Sequence, residues 1–87
     1  MKEQNIQSKI IKYLQTVGYC RKVVGLAGMP DVIALIDGKF YGFEIKKDKN
    51  SKPSPLQLYN IEEIKKNGGS AHVVWTLEQV KDIICNR

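Results

Sequence analysis

The sequence predicts an α/β fold, with its elements in the order α-β-β-β-α-β-α. Apolar residues recur at helical spacing in three stretches, and short apolar runs bounded by turn residues lie between them. One pair of those runs flanks Asp37-Gly38, a strong signal for a two-residue β-hairpin.

Ile6, Ile10, Tyr13, Leu14 and Val17 repeat with the helical period and Gly18 follows as a stop, so the first helix is expected over residues 3–17. "YCRKVV" reads as a short strand that ends in the glycine-rich loop "GLAG". "DVIALI" and "KFYGFEIKK" are the two arms of the hairpin, and the polar segment "DKNSKPSP" breaks the pattern after them. Ser54-Pro55 opens a second helix carrying Leu56, Ile61 and Ile64, which Gly68-Gly69 closes. "SAHVVW" is a fourth strand. Thr76 then caps a short third helix with Leu77, Val80, Ile83 and Ile84 on one side.

At 87 residues the chain has room for one core, so residues 1–87 are expected to form a single domain. A net charge of +5 and a pI near 9.3 point to an anionic partner such as nucleic acid. The longest apolar run, "VIALI", is far short of the ~20 residues of a membrane span. The polar start "MKEQNIQSK" is unlike a signal peptide, and a cytoplasmic protein is expected. Cys20 and Cys85 lack metal-ligand spacing and are expected to be reduced thiols packed as small hydrophobes.

The hairpin raises an electrostatic problem. A turn at Asp37-Gly38 pairs Ile36 with Lys39, and counting back along both arms places Asp31 opposite Glu44. A four-residue loop keeps that pairing, whereas a bulge would break it. Like charges facing each other across a ladder are destabilising. Alternation puts Lys46 on the same face as Glu44. Two carboxylates and a lysine at one end of a hairpin suit a hard divalent cation such as Mg²⁺ or Mn²⁺. Without metal, one carboxylate should have a raised pKa. The plainer alternative is that Lys46 is itself the counter-ion in a salt bridge at the sheet edge.

Two further polar residues look inward near helix starts. Glu3 extends the buried stripe of the first helix at its N-terminal end, where it faces a polar site or simply complements the helix dipole. Gln57 shares a face with Ile61 and Ile64. Its alternative role is specific, because Ser54-Pro55-Leu56-Gln57 is a good capping box in which Gln57 reaches back to the Ser54 amide.

Pro30-Asp31 followed by "EIK" at Glu44 to Lys46 resembles the PD-(D/E)XK nuclease signature. More narrowly, Glu3 before "IQSKIIKYL", the "GMPDVIAL" segment and "PLQ" after the "EIKK" strand resemble the virus-type replication-repair nuclease domain, VRR-NUC. The resemblance spans nearly the whole chain and implies a stand-alone form. It implies a restriction-endonuclease-like core, with a mixed four-stranded sheet flanked by helices, and metal-dependent phosphodiester hydrolysis in DNA. On this resemblance Asp31 and Glu44 ligate Mg²⁺ or Mn²⁺ with the backbone carbonyl of Ile45, and Glu3 joins them directly or through water. Lys46 orients or activates the attacking water and steadies transition-state charge, and Gln57 positions Lys46 or the water. Stand-alone members resemble archaeal Holliday junction resolvases, which implies a homodimer acting on branched or four-way-junction DNA in repair.

Lys46, Lys47, Lys49 and Lys52 surround the loop beside this site, and Lys47, Lys49 and Lys52 are expected to contact DNA phosphates unless the loop is merely solvated. Lys12, Arg21, Lys22, Lys65 and Lys66 widen the footprint or serve solubility. No recognition-helix or zinc signature is present, so structure rather than sequence of the DNA is expected to be read. "VVGLAGM" is a candidate dimer interface, or else core. His72, Trp75 and the tyrosines are expected to be packing residues rather than a general base or base-stacking platforms. Two other functions stay open: a sequence-specific restriction-type nuclease, and a basic nucleic-acid-binding or partner-binding domain without turnover.

Overall fold

A computed structural model describes the backbone of residues 3–87 and the side chains of residues 6–87. The elements are α1 (Glu3–Val17), β1 (Tyr19–Lys22), β2 (Val32–Ile36), β3 (Lys39–Ile45), α2 (Pro55–Lys66), β4 (Ser70–Val74) and α3 (Leu77–Cys85). They form a mixed four-stranded sheet in the order β1-β2-β3-β4, with β1, β2 and β3 antiparallel and β4 parallel to β3. The expected α/β order is therefore the observed one.

The hairpin turn has φ of 52° at Asp37 and 80° at Gly38, the left-handed pair that matches the twist of a two-residue connection. Ile36 pairs with Lys39 and Val32 with Phe43, so no bulge intervenes along the paired strands. Alternation then sorts β3. Tyr41, Phe43 and Ile45 face Ile10 and Leu14 of α1 and Val80 and Ile84 of α3 in one buried cluster. Each such fully buried side chain contributes about 1.5–3 kcal/mol, which holds β3 in this register. Gly42 and Glu44 are left for the other face, where α2 lies against β4.

Pro30 reaches the sheet because β3 offers no side chain beneath it. A Cβ on Gly42 would lie 2.9 Å from the Pro30 ring. The loop before Pro30 meets α2 at Gly28, whose φ of 80° is left-handed and whose missing Cβ leaves room for Leu56. The Gly28 carbonyl also accepts a hydrogen bond from Asn60 Nδ2 at 3.1 Å.

Several expectations need correcting. β1 stops at Lys22, because beyond it only the Val23 N–H continues the ladder, to the carbonyl of Asp31. Leu56 is 48% exposed, since it projects from the first turn of α2 over the loop rather than onto the sheet. Cys20 is buried and its thiol is pushed up to about 11 by burial, but Cys85 is exposed at the end of α3. The "VVGLAGM" segment is not core: Val24 is 77% and Leu26 62% exposed. No helix among the described residues is long and apolar enough to cross a membrane.

Candidate active site

Glu44 is the one charged side chain that the fold buries among the described residues, at 2% exposure. It is buried because the strand register points it away from the main core and the Pro30–Asp31 segment and α2 then cover it. Its Oε2 accepts from Gln57 Nε2 at 2.7 Å and lies 3.4 Å from Lys46 Nζ. Its Oε1 is buried with no hydrogen-bond partner among the described residues. A buried carboxylate oxygen is costly without a partner, which makes Oε1 the atom suited to face a cation or a donor.

Asp31 is half-buried just before β2. Its Oδ2 accepts from the Ile45 backbone N–H at 2.8 Å, and this fixes the carboxylate across the hairpin from Glu44. Burial raises the pKa of Glu44 above the ordinary carboxylate range, the Asp31 charge raises it further, and Lys46 opposes both. The like-charge conflict predicted from the hairpin is therefore present, and Glu44 carries it. It is the amide of Ile45 that Asp31 engages.

Lys46 supplies a salt bridge to Glu44 as well as a place in the cluster, its Nζ also lying 3.4 Å from Gln57 Oε1. Its backbone N–H bonds the Val74 carbonyl at 2.9 Å, which holds the end of β3 to β4. Gln57 closes the expected capping box and also reaches the carboxylate cluster. Its Oε1 accepts the Ser54 N–H at 2.8 Å, closing the capping box, while its Nε2 donates to Glu44. An amide has two ends, so the helix cap fixes which one meets the carboxylate.

The structure thus brings together Asp31, Glu44, Ile45, Lys46 and Gln57. The side chain of Glu3 lies outside the described residues. Among the described residues no three acidic, histidine or cysteine groups converge. Two carboxylates, one with a buried oxygen that has no partner among the described residues, nevertheless suit Mg²⁺, which takes one or two carboxylates and keeps several waters.

Lys47, Lys49 and Lys52 are exposed in the loop that follows β3. Sequence reasoning missed the residue that ties this loop down. Trp75, expected in strand β4, lies just beyond it and donates its indole N–H to the Asp48 carbonyl at 2.8 Å. His72 packs as expected, with its ring 5.9 Å from that of Phe43 and Nε2 2.7 Å from Ser70 Oγ. Burial, then Lys65 and Lys39, lower its pKa and favour the neutral ring.

The fold, a mixed four-stranded sheet flanked by helices in the order α-β-β-β-α-β-α, is that of a PD-(D/E)XK-like nuclease domain. A solved structure described as "VRR_NUC domain" is 31% identical, with a TM-score of 0.78 over 94% of this chain and 92% of its own. A second, "VRR_NUC domain protein", is 26% identical with a TM-score of 0.78, covering 99% of this chain and 87% of its own. No family model and no curated protein matches the sequence. The chain belongs to the VRR-NUC family. Nuclease activity, with DNA as the implied substrate, follows from that membership, and nuclease domains of this kind usually use divalent metals.

Proposed function

We propose that residues 1–87 form a single metal-dependent, structure-selective endodeoxyribonuclease domain that works on branched DNA as a homodimer, in the manner of a Holliday junction resolvase. The observation that carries the reading is buried Glu44, whose Oε1 has no hydrogen-bond partner among the described residues and whose charge is opposed by Asp31 across the hairpin. Asp31 and Glu44 hold Mg²⁺ or Mn²⁺, with the Ile45 carbonyl and Glu3, directly or through water, completing the set. The cation, when bound, supplies Lewis acidity and a more acidic water.

The chain's own groups do the rest. Lys46 places a fixed positive charge where negative charge develops on the phosphate and orients the attacking water. Gln57 holds Glu44 and Lys46 in mutual register. Lys47, Lys49 and Lys52 take the flanking phosphates, which makes binding salt-dependent.

Cutting a junction takes two sites, and a domain of this size carries one. The exposed side chains of Val24 and Leu26, beside the Gly28–Leu56 contact, favour this loop as the surface where a second copy docks. Light scattering at micromolar protein should give a dimer mass; a monomer at every concentration removes that part of the proposal.

The deciding experiment compares a labelled four-way junction with a linear duplex of the same sequence, in Mg²⁺, Mn²⁺ and EDTA, for wild type and Lys46→Ala. Paired metal-dependent nicks near the branch, absent in the variant, are expected. Equal cutting of the duplex would retain the nuclease and discard junction selectivity. Tight, salt-sensitive binding with no cutting would make the domain a binding module.

A further inference from the structure

Trp75 is the chain's single tryptophan. It is half-buried and held at both ends: the indole N–H bonds Asp48 O at 2.8 Å, and the backbone N–H bonds Gln79 Oε1 at 2.6 Å. With its one polar side-chain atom satisfied, the half-buried ring is held in a fixed orientation.

That ring lines an open cavity of about 410 Å³ together with Lys49, Thr76 and Gln79. The volume falls within the ~300–1,000 Å³ of small-molecule sites. The wall is largely apolar, and Lys49 adds positive charge in a loop that also exposes Lys47 and Lys52. Gln79 Oε1 is engaged by the N–H groups of Trp75 and Thr76, so the NH₂ end of its amide is the donor left for a ligand. The cavity lies near the candidate active site. Asp48, which anchors the indole, is two residues beyond Lys46, and the Lys46 N–H bonds the residue just before Trp75.

A preorganised aromatic face, a cation for phosphate and a donor for a base acceptor are what a single-stranded nucleotide requires. We propose that this cavity is a nucleobase subsite. An unpaired nucleotide of the DNA substrate, unstacked close to the scissile bond, lays its base on Trp75 and sets its phosphate by Lys49. The proposal rests on DNA being the substrate and supplies a physical source for structure selectivity, because an intact duplex has no free base to offer.

The single tryptophan makes the test direct. In EDTA, so that no strand is cut, the protein is titrated with labelled oligothymidylate and with an abasic strand of equal length, following strand anisotropy and tryptophan fluorescence together. Oligothymidylate should quench the fluorescence saturably, whereas the abasic strand should bind by its phosphates without matching quenching. Trp75→Ala should bind oligothymidylate roughly ten- to a hundredfold more weakly. Trp75→Phe, which keeps a ring but loses the Asp48 hydrogen bond, should retain most of the affinity.

Equal fluorescence responses to the two strands would overturn the proposal. So would no binding of either strand, or equal weakening in Trp75→Phe and Trp75→Ala, which would assign the tryptophan to anchoring the loop. Metal-dependent cleavage that persists without base-specific quenching sinks the subsite alone. Quenching without any cleavage leaves the subsite standing and sinks the nuclease.

Discussion

Gln57 gives its side-chain NH₂ to Glu44 at 2.7 Å from the first turn of the helix that the same side chain helps to cap. Helix initiation and the placement of a buried carboxylate are therefore one event. Ser54 can be altered to separate the two. Its φ of −71° already suits proline, so Ser54→Pro removes the N–H that holds Gln57 Oε1 along with the hydroxyl, whereas Ser54→Ala removes the hydroxyl alone. Each should cost about 1 kcal/mol of stability. DNA cleavage should fall clearly only in Ser54→Pro; equal rates in the two variants would mean that the cap does not position Gln57.

Glu44 gives the domain a pH signature. Its folded pKa is raised, so the folded state holds this proton more tightly than the unfolded state does. The contribution is most favourable below the unfolded value and is lost as pH rises through the folded value. Metal-free Glu44→Gln should therefore melt a few degrees above wild type at pH 8, with the gap closing at low pH. About 1 kcal/mol shifts a domain of this size by ~4–8 °C. Mg²⁺ should raise the wild-type melting point more at pH 8 than at pH 5 and leave Glu44→Gln unmoved. A metal shift retained in the variant would place the cation elsewhere.

Lys46→Ala should lower cleavage by roughly 10²–10³-fold, the usual cost of removing one preorganised electrostatic group. Lys46 is 18% exposed, and its loss should leave the melting point within a few degrees of wild type. Binding of uncut DNA in EDTA should change little. Wild-type turnover in this variant would reduce Lys46 to a salt bridge.

Gly28→Ala tests the contact between the Asp31 loop and α2. An added Cβ would lie 2.3 Å from Leu56 Cγ, and a φ of 80° strains any L side chain by about 1–2 kcal/mol. Stability should drop by about 2–3 kcal/mol, and cleavage should fall under conditions where the variant remains folded. Leu56→Ala in the same chain should recover part of the stability by opening the space. No recovery would show that backbone strain, not the contact, sets the cost.

Local chemistry explains what was legible in advance. Asp37-Gly38 specifies its own turn, the turn specifies the ladder, and the ladder sets Asp31 against Glu44 within one hairpin. Ser54 and Gln57 lie three residues apart, and their capping box was equally readable. The burial of Glu44 was not, because it requires both the Pro30 loop and α2 to close over the same spot. Trp75 was misplaced for a similar reason: its indole partner, Asp48, is 27 residues away and belongs to a loop without a regular pattern. The exposure of Val24 and Leu26 was equally illegible, since their apolar character says nothing of whether a neighbouring element covers them.

β1 is only four residues long and forms one border of the sheet, with Arg21 and Lys22 in its second half. A bare strand border invites another chain to continue the sheet, and short length with positive charge is how proteins discourage that growth. Two copies approaching border to border would bring four such charges together, whereas a polyanion would neutralise them. The feature that resists runaway self-addition in this basic protein is also one that favours nucleic acid over another copy at that border.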